Sequence, residues 1–222
     1  MNSNGVLKDK ARLLLKGNWG TAIIIFIIVI VVNILINFIG GKVSSIQTFF
    51  INFSTTSILS ILIAPLKFGV DSTFLNLVRG KEFKIESIFD PFKTVFIKSI
   101  LASLLQWLYI MLWSLLFIIP GIIMGIAYSQ ITYILKDQPE LSITELLALS
   151  KKMMSGYKWK YFTLMLGFIG LAFLCILTLG IGFLWLSPYI SATTAKFYND
   201  LRETYCEENP IECEEQNDET NF

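Results

Sequence analysis

The chain has 222 residues and a net charge of +1, and 54% hydrophobic, 14% aromatic and only 16% charged residues with a mean hydropathy of +0.63 exclude an ordinary soluble domain, in which roughly 25% of residues are charged. The chain contains no histidine, which removes Ser-His-Asp, Cys-His and histidine-metal chemistry. The net charge conceals a split: residues 1–199 carry 17 Lys or Arg against 8 acids, and residues 200–222 carry nine acids against Arg202.

Four runs have no charged residue: Gly17–Gly41, Val43–Leu66, Ser99–Leu135 and Tyr161–Ala195. A bilayer core is ~30 Å thick and takes about 20 helical residues to cross, so each of the first two is one span long and each of the last two is nearly two. The N-terminal "NGVLKDKARLLLKGNW" places Leu7, Ala11, Leu14 and Leu15 on one helical face, with Lys8, Arg12 and Lys16 elsewhere. It reads as an amphipathic helix at the headgroups. The apolar Thr21–Ile39 that follows is longer than a signal-peptide core of ~7–15 residues and lacks an A-x-A site. It reads as a retained first span.

The second uncharged run leads into "APLKFGVDST", where Lys67 and Asp71 stand four apart. Ionisable groups at membrane depth are costly and commonly paired, and one helical turn lets these two neutralise each other. They are the candidate intramembrane pair, for an ion, proton or substrate contact or for structure alone. Asn33, Asn37 and Gln106 are polar residues within spans, expected to make interhelical hydrogen bonds. "FKIESIFDPFK" sets Phe83, Ile85, Ile88, Phe89 and Phe92 among charges and reads as a second interfacial helix.

As one helix, the 37-residue run Ser99–Leu135 would measure ~55 Å. Tilt does not absorb that excess. The chain is expected to turn at Pro120-Gly121, where proline removes a helical donor and glycine adds backbone freedom. That gives spans over about 97–118 and 121–136. "GIIMG" also spaces Gly121 and Gly125 for close helix contact. "LSITELLALSKKMMSGYKW" opens with a capping-box pattern from Ser142 to Glu145 and aligns Ile143, Leu146, Leu147, Met153 and Met154 on one stripe, beside Lys151 and Lys152. It is the third interfacial helix. "TLGIGF" (178–183) divides the last run into spans near 159–178 and 181–200.

Six spans in three hairpins result, in an all-α membrane domain covering 1–202. Sixteen Lys or Arg then fall on one side and Lys42 alone on the other, which makes both termini cytoplasmic by the positive-inside rule. Trp19 and Trp159 suit headgroup depth. The acidic tail 203–222 reads as disordered, and Cys206 and Cys213 within it are expected to stay reduced in the cytoplasm. Cys175 lies inside a span as a small apolar residue.

Some segments resemble one another. "LLKGNW" (14–19) aligns with "MMSGYKW" (153–159), and "PLKFGVDSTFLNLVR" (65–79) with "PYISATTAKFYNDLR" (188–202). The pattern suggests three copies of an interfacial helix followed by a hairpin.

The residues "LLKGNWGTAI", "LLFIIPGIIMGIAYSQITYIL" and "SKKMMSGYKWKYF" with "LGIGFLWLSPYISATTAKFYNDL" resemble a bacterial integral-membrane family, found mainly in Gram-positive bacteria, that is classed as a domain of unknown function. The similarity covers about residues 5 to 203. A weaker similarity, carried by the Pro-Gly-Ile turn, is to the membrane domain of some glycerophosphodiester phosphodiesterases. The resemblance implies a plasma membrane protein and assigns no catalytic residue. The chain is therefore expected to be a non-enzymatic scaffold, accessory or lipid-interacting protein, or alternatively a small transporter using Lys67 and Asp71. Its expected partners are anionic lipid headgroups, reached by Lys8, Arg12, Lys16, Lys151 and Lys152, and a membrane protein or second copy of the chain. Neither cofactor, metal nor nucleic acid is expected.

Overall fold

Helix formation begins where a side chain supplies the first free donor's partner. In the computed structural model, which describes residues 1–39, 63–210 and 213, the Ser3 hydroxyl accepts from the Val6 N–H and opens α1 (Asn4–Leu15). Gly17, at φ +94°, ends it. A left-handed residue of this kind stops a helix at little cost only when it is glycine. The chain re-enters helix as α2 (Trp19–Ile39), with its axis bent 97° from that of α1.

After the undescribed residues come α3 (Ala64–Val78), a 3₁₀ turn (Glu86–Phe89), and the four-residue α4 (Pro91–Thr94). Then follow α5 (Phe96–Leu116), α6 (Ile118–Ala127), α7 (Ile131–Asp137), α8 (Ile143–Met153), α9 (Lys158–Leu177) and α10 (Phe183–Glu208). No strand occurs among the described residues. The fold is all-α, as the apolar periodicity predicts.

The capping box of α8 is present in both halves: Ser142 Oγ accepts from the Glu145 N–H, and Glu145 accepts from the Ser142 N–H at 2.7 Å. Gly156, at φ +83°, then separates α8 from α9 as Gly17 separates α1 from α2. Leu15 and Met154, matched in the sequence alignment, are both fully buried just before the turn.

The core lies among α1, α3, α7, α8 and α10, where Leu7, Phe74, Ile134, Leu146 and Phe197 are essentially inaccessible. The long apolar helices α5 and α9 flank it with one face outward; Leu112 and Leu115 on α5 and Phe173 and Leu177 on α9 stand more than half exposed. These two helices are long and apolar enough to cross a bilayer, and the bent pair α1–α2 is a third candidate.

Several expectations are corrected. Within Ser99–Leu135 the chain breaks at Phe117 (φ −159°, ψ 145°), three residues before Pro120, and Pro120 sits in the first turn of α6. A proline there costs no hydrogen bond, because the first N–H groups of a helix have no intrahelical acceptor. Beyond the break α6 runs antiparallel to α5: Gly121 faces Ser114, Gly125 faces Ile110, and Gln106 donates to the Tyr128 carbonyl at 3.1 Å. A Cβ on Gly121 would lie 2.1 Å from Ser114 Oγ, so this glycine serves the helix contact and not the turn. The segment 121–136 is not one helix either. It divides at 128–130, where α6 gives way to α7.

The segment around "FKIESIFDPFK" is a 3₁₀ turn and a single helical turn, with Ile88 fully buried under α3. A Cβ on Gly69 would strike the Ile88 carbonyl at 2.0 Å, so glycine admits this loop. Helix α1 is not a free surface helix, since Leu7, Ala11 and Leu15 are covered. At the other end α10 continues through Glu208, past the expected boundary at 203, with Tyr205 buried. Cys206 is joined to Cys213 by a disulfide, where two thiols were expected. The turn at 178–183 falls where the sequence places it, with Thr178 Oγ1 accepting from the Gly182 N–H at 3.1 Å. Most of the run Val43–Leu66, with Lys42 before it, lies outside the described residues.

Candidate functional site

Lys67 and Asp71 belong to α3, and Lys67 opens onto a narrow crevice between α3, α5 and α7. Lys67, Ser99, Ser103, Gln106 and Thr132 line it. Asp71 hydrogen-bonds to the Thr132 side chain and lies within electrostatic reach of Lys67. Lys67 is exposed while Asp71 is half-buried. The expected pair is thus together, and the structure adds three hydroxyl side chains and one amide from neighbouring helices. Such a set can bind a small polar species or simply satisfy itself.

A second polar cluster, centred on Asp137, has no motif in the sequence. It forms where the ends of α3 and α7 meet the side of α10. Arg79, just past α3, grips Asp137 with two parallel hydrogen bonds of 2.6 and 2.7 Å, the fork geometry that makes Arg–carboxylate pairs strong. Tyr198 donates to Asp137 Oδ2 at 2.8 Å, and Arg202 reaches the same oxygen at 3.4 Å. Arg79 Nε also donates to Asn199 Oδ1 at 3.2 Å. Lys136 donates to Asn76 Oδ1 at 2.6 Å and to the Ser72 carbonyl.

The Asp137 side chain is only 6% exposed. Burial opposes its charge, but the hydrogen bonds and charge of Arg79 outweigh that and hold the carboxyl below its usual value. Burial likewise disfavours the Arg79 cation, and Asp137 overcomes it to raise the guanidinium above its ordinary value.

The aligned segments 65–79 and 188–202 meet here. Phe74 and its counterpart Phe197 are both fully buried. Asn76 and Asn199, at matching places, each accept from a cation, and Arg79 and Arg202, also matching, share one carboxylate. The shared N-x-x-R was legible in the sequence. Asp137 was not, because it belongs to neither copy.

Of the five cations expected to meet lipid, Arg12, Lys16, Lys151 and Lys152 are exposed. Lys8 is half-buried, its ammonium 4.5 Å from the centre of the Phe168 ring. Lys152 lies 5.7 Å over Tyr205. Gln106 bridges two helices as expected. Asn33 donates to the Val29 carbonyl of its own helix at 2.8 Å, and the Asn37 side chain lies outside the described residues.

A bundle flanked by helices long and apolar enough to span a bilayer, with apolar side chains facing outward, fits a membrane protein. The chain belongs to the protein family of unknown function DUF975, whose model matches residues 1–124 and 115–205. No curated protein and no solved structure matches it. The weaker likeness to phosphodiesterase membrane domains has no counterpart among these matches.

Proposed function

We propose that the protein is a multi-pass component of the bacterial plasma membrane that acts by binding, as a scaffold, accessory subunit or lipid-interacting factor. In this reading the chain crosses six times in three hairpins, with α6 and α7 together making one return crossing and both termini in the cytoplasm. The observation that carries it is the outward apolar surface of α2, α5 and α9, on which residues such as Ile34, Leu112 and Leu177 are more than half exposed. Side chains of this kind need lipid or another protein against them. The count of 16 Lys or Arg on one side against Lys42 supports the orientation. Purification from native membranes with identification of retained lipids and proteins tests the binding role. Recovery of a stable partner or of tightly held anionic lipid is expected. A chain that purifies with neither refutes it.

The crevice at Lys67 favours a second reading, a small transporter. The polar side chains facing it come from three helices, and transport sites are often built between repeated units. Flux or drug-susceptibility measurements on Lys67→Ala and Asp71→Ala separate the two readings. Unchanged behaviour in both variants removes the transporter.

A further inference from the structure

A groove of 510 Å³ opens between the start of α2 and the hairpin of α9 and α10. Its floor is apolar, with Leu171 and Leu174 from α9 and Trp185 from α10. At one end Arg12, Trp19 and Tyr189 gather. The volume falls within the ~300–1,000 Å³ of small-molecule sites. The three end residues differ in kind from the floor. Tryptophan favours the boundary between headgroup and acyl chain, and arginine is the side chain suited to a phosphate.

Charge narrows the choice of occupant. Arg12 is exposed and forms no ion pair among the described residues. Asp9 lies one turn earlier on α1, and both act on the Tyr189 hydroxyl. A lone guanidinium at the mouth of an apolar slot lacks one complement, an anion attached to something greasy. The neighbouring faces of α2 and α9 are themselves turned outward, so a molecule from the bilayer enters without crossing water.

We infer that this groove is a binding site for one anionic phospholipid, with the phosphate on Arg12 and an acyl chain along Leu171, Leu174 and Trp185. The inference rests on the lipid-interacting reading above and sharpens it from a basic surface to one slot. It also separates Arg12 from Lys16, Lys151 and Lys152, which lie outside the groove.

Native mass spectrometry of the full chain, delipidated in detergent and titrated with phosphatidylglycerol or phosphatidylcholine of identical chains, tests it. Phosphatidylglycerol is expected to bind about five- to tenfold more tightly, the worth of one well-placed cation. Arg12→Gln should abolish that preference, and Arg12→Lys should keep most of it. Leu174→Trp, at an outward-facing position, should obstruct the slot and weaken both lipids, whereas Lys16→Gln should change neither. Retained preference in Arg12→Gln, or unchanged binding of both lipids in Leu174→Trp, overturns the inference. If the preference disappears in Lys151→Gln or Lys152→Gln but not in Arg12→Gln, the groove fails while the broader lipid reading stands. With no preference in the native chain, both fail. Melting temperatures of each variant confirm that it is folded.

Discussion

Asp137→Asn keeps the shape of the side chain and removes its charge, leaving the half-buried Arg79 beside an amide. The Arg79 side chain is 19% exposed and that of Asp137 6%, so water has little access to either. Removing one partner of a buried pair costs ~3–5 kcal/mol, because the remaining charge stays desolvated. Arg202 is a third exposed and adds little to this figure. The amide oxygen can still accept from one arm of Arg79, which sets the expectation near the lower bound, about 3 kcal/mol. For a chain of this size that corresponds to a fall of about 6–12 °C in melting temperature, read by intrinsic fluorescence in a fixed detergent. Arg79→Lys keeps the charge but loses the fork, and should fall roughly half as far. The pH dependence gives an independent reading. Asp137 is held below its usual value of 3.8 when folded, so the unfolded chain takes up this proton first as pH falls. The stabilisation is whole above 3.8 and fades as pH drops toward the folded value. Native protein should lose melting temperature through this acid window by an increment that Asp137→Asn lacks. An Asp137→Asn protein that melts within 2 °C of native (less than about 1 kcal/mol) and shows the same acid profile refutes the pair as a structural bond.

Three further outcomes follow from the helix contacts and turns. Gly121→Val drives a side chain into Ser114 and should cost about 1–3 kcal/mol, partly recovered by Ser114→Gly; equal melting of Gly121→Val and native protein contradicts the contact. Gly17→Ala and Gly156→Ala each force an L side chain into a left-handed conformation, at ~1–2 kcal/mol. The two costs should agree, and a large difference between them in a melting assay would deny the glycines one shared role. Under the six-span proposal, Phe117→Cys should react with an impermeant maleimide applied to intact cells. Labelling only after lysis reverses the proposed topology at that turn.

The sequence showed most clearly what depends on local chemistry. Ser142 and Glu145 announce the start of α8 through a spacing that works within one turn. The glycines after α1 and α8 stand at matching places in the aligned segments 14–19 and 153–159, and the structure shows both in the left-handed conformation that ends a helix. The break at Phe117 has no local signal, because it is imposed by packing. Ser114 and Gly121 must meet at van der Waals distance, and that meeting sets where the chain reverses; Pro120 then falls where proline is harmless. The burial of α1 was equally hidden. Its polar face, with Lys8, Arg12 and Lys16, reads as a surface helix until α10 covers Leu7, Ala11 and Leu15. Lys67 and Asp71 were visible as a pair, whereas Ser99, Ser103 and Thr132 came to their crevice from helices far along the chain. Asp137 is the extreme case. One carboxylate at a helix end carries no signal until two distant arginines turn out to need it.

The shared use of Asp137 bears on how the chain is completed. The residues it joins emerge from the ribosome far apart, Arg79 first, Asp137 58 residues later, and Tyr198 61 residues after that. Until α10 has been made, the carboxylate holds one arginine and lacks its tyrosine and second arginine. A chain cut short before residue 198 therefore presents an unfinished ionic joint at the ends of α3 and α7, where a half-buried arginine and carboxylate lack the groups that complete them.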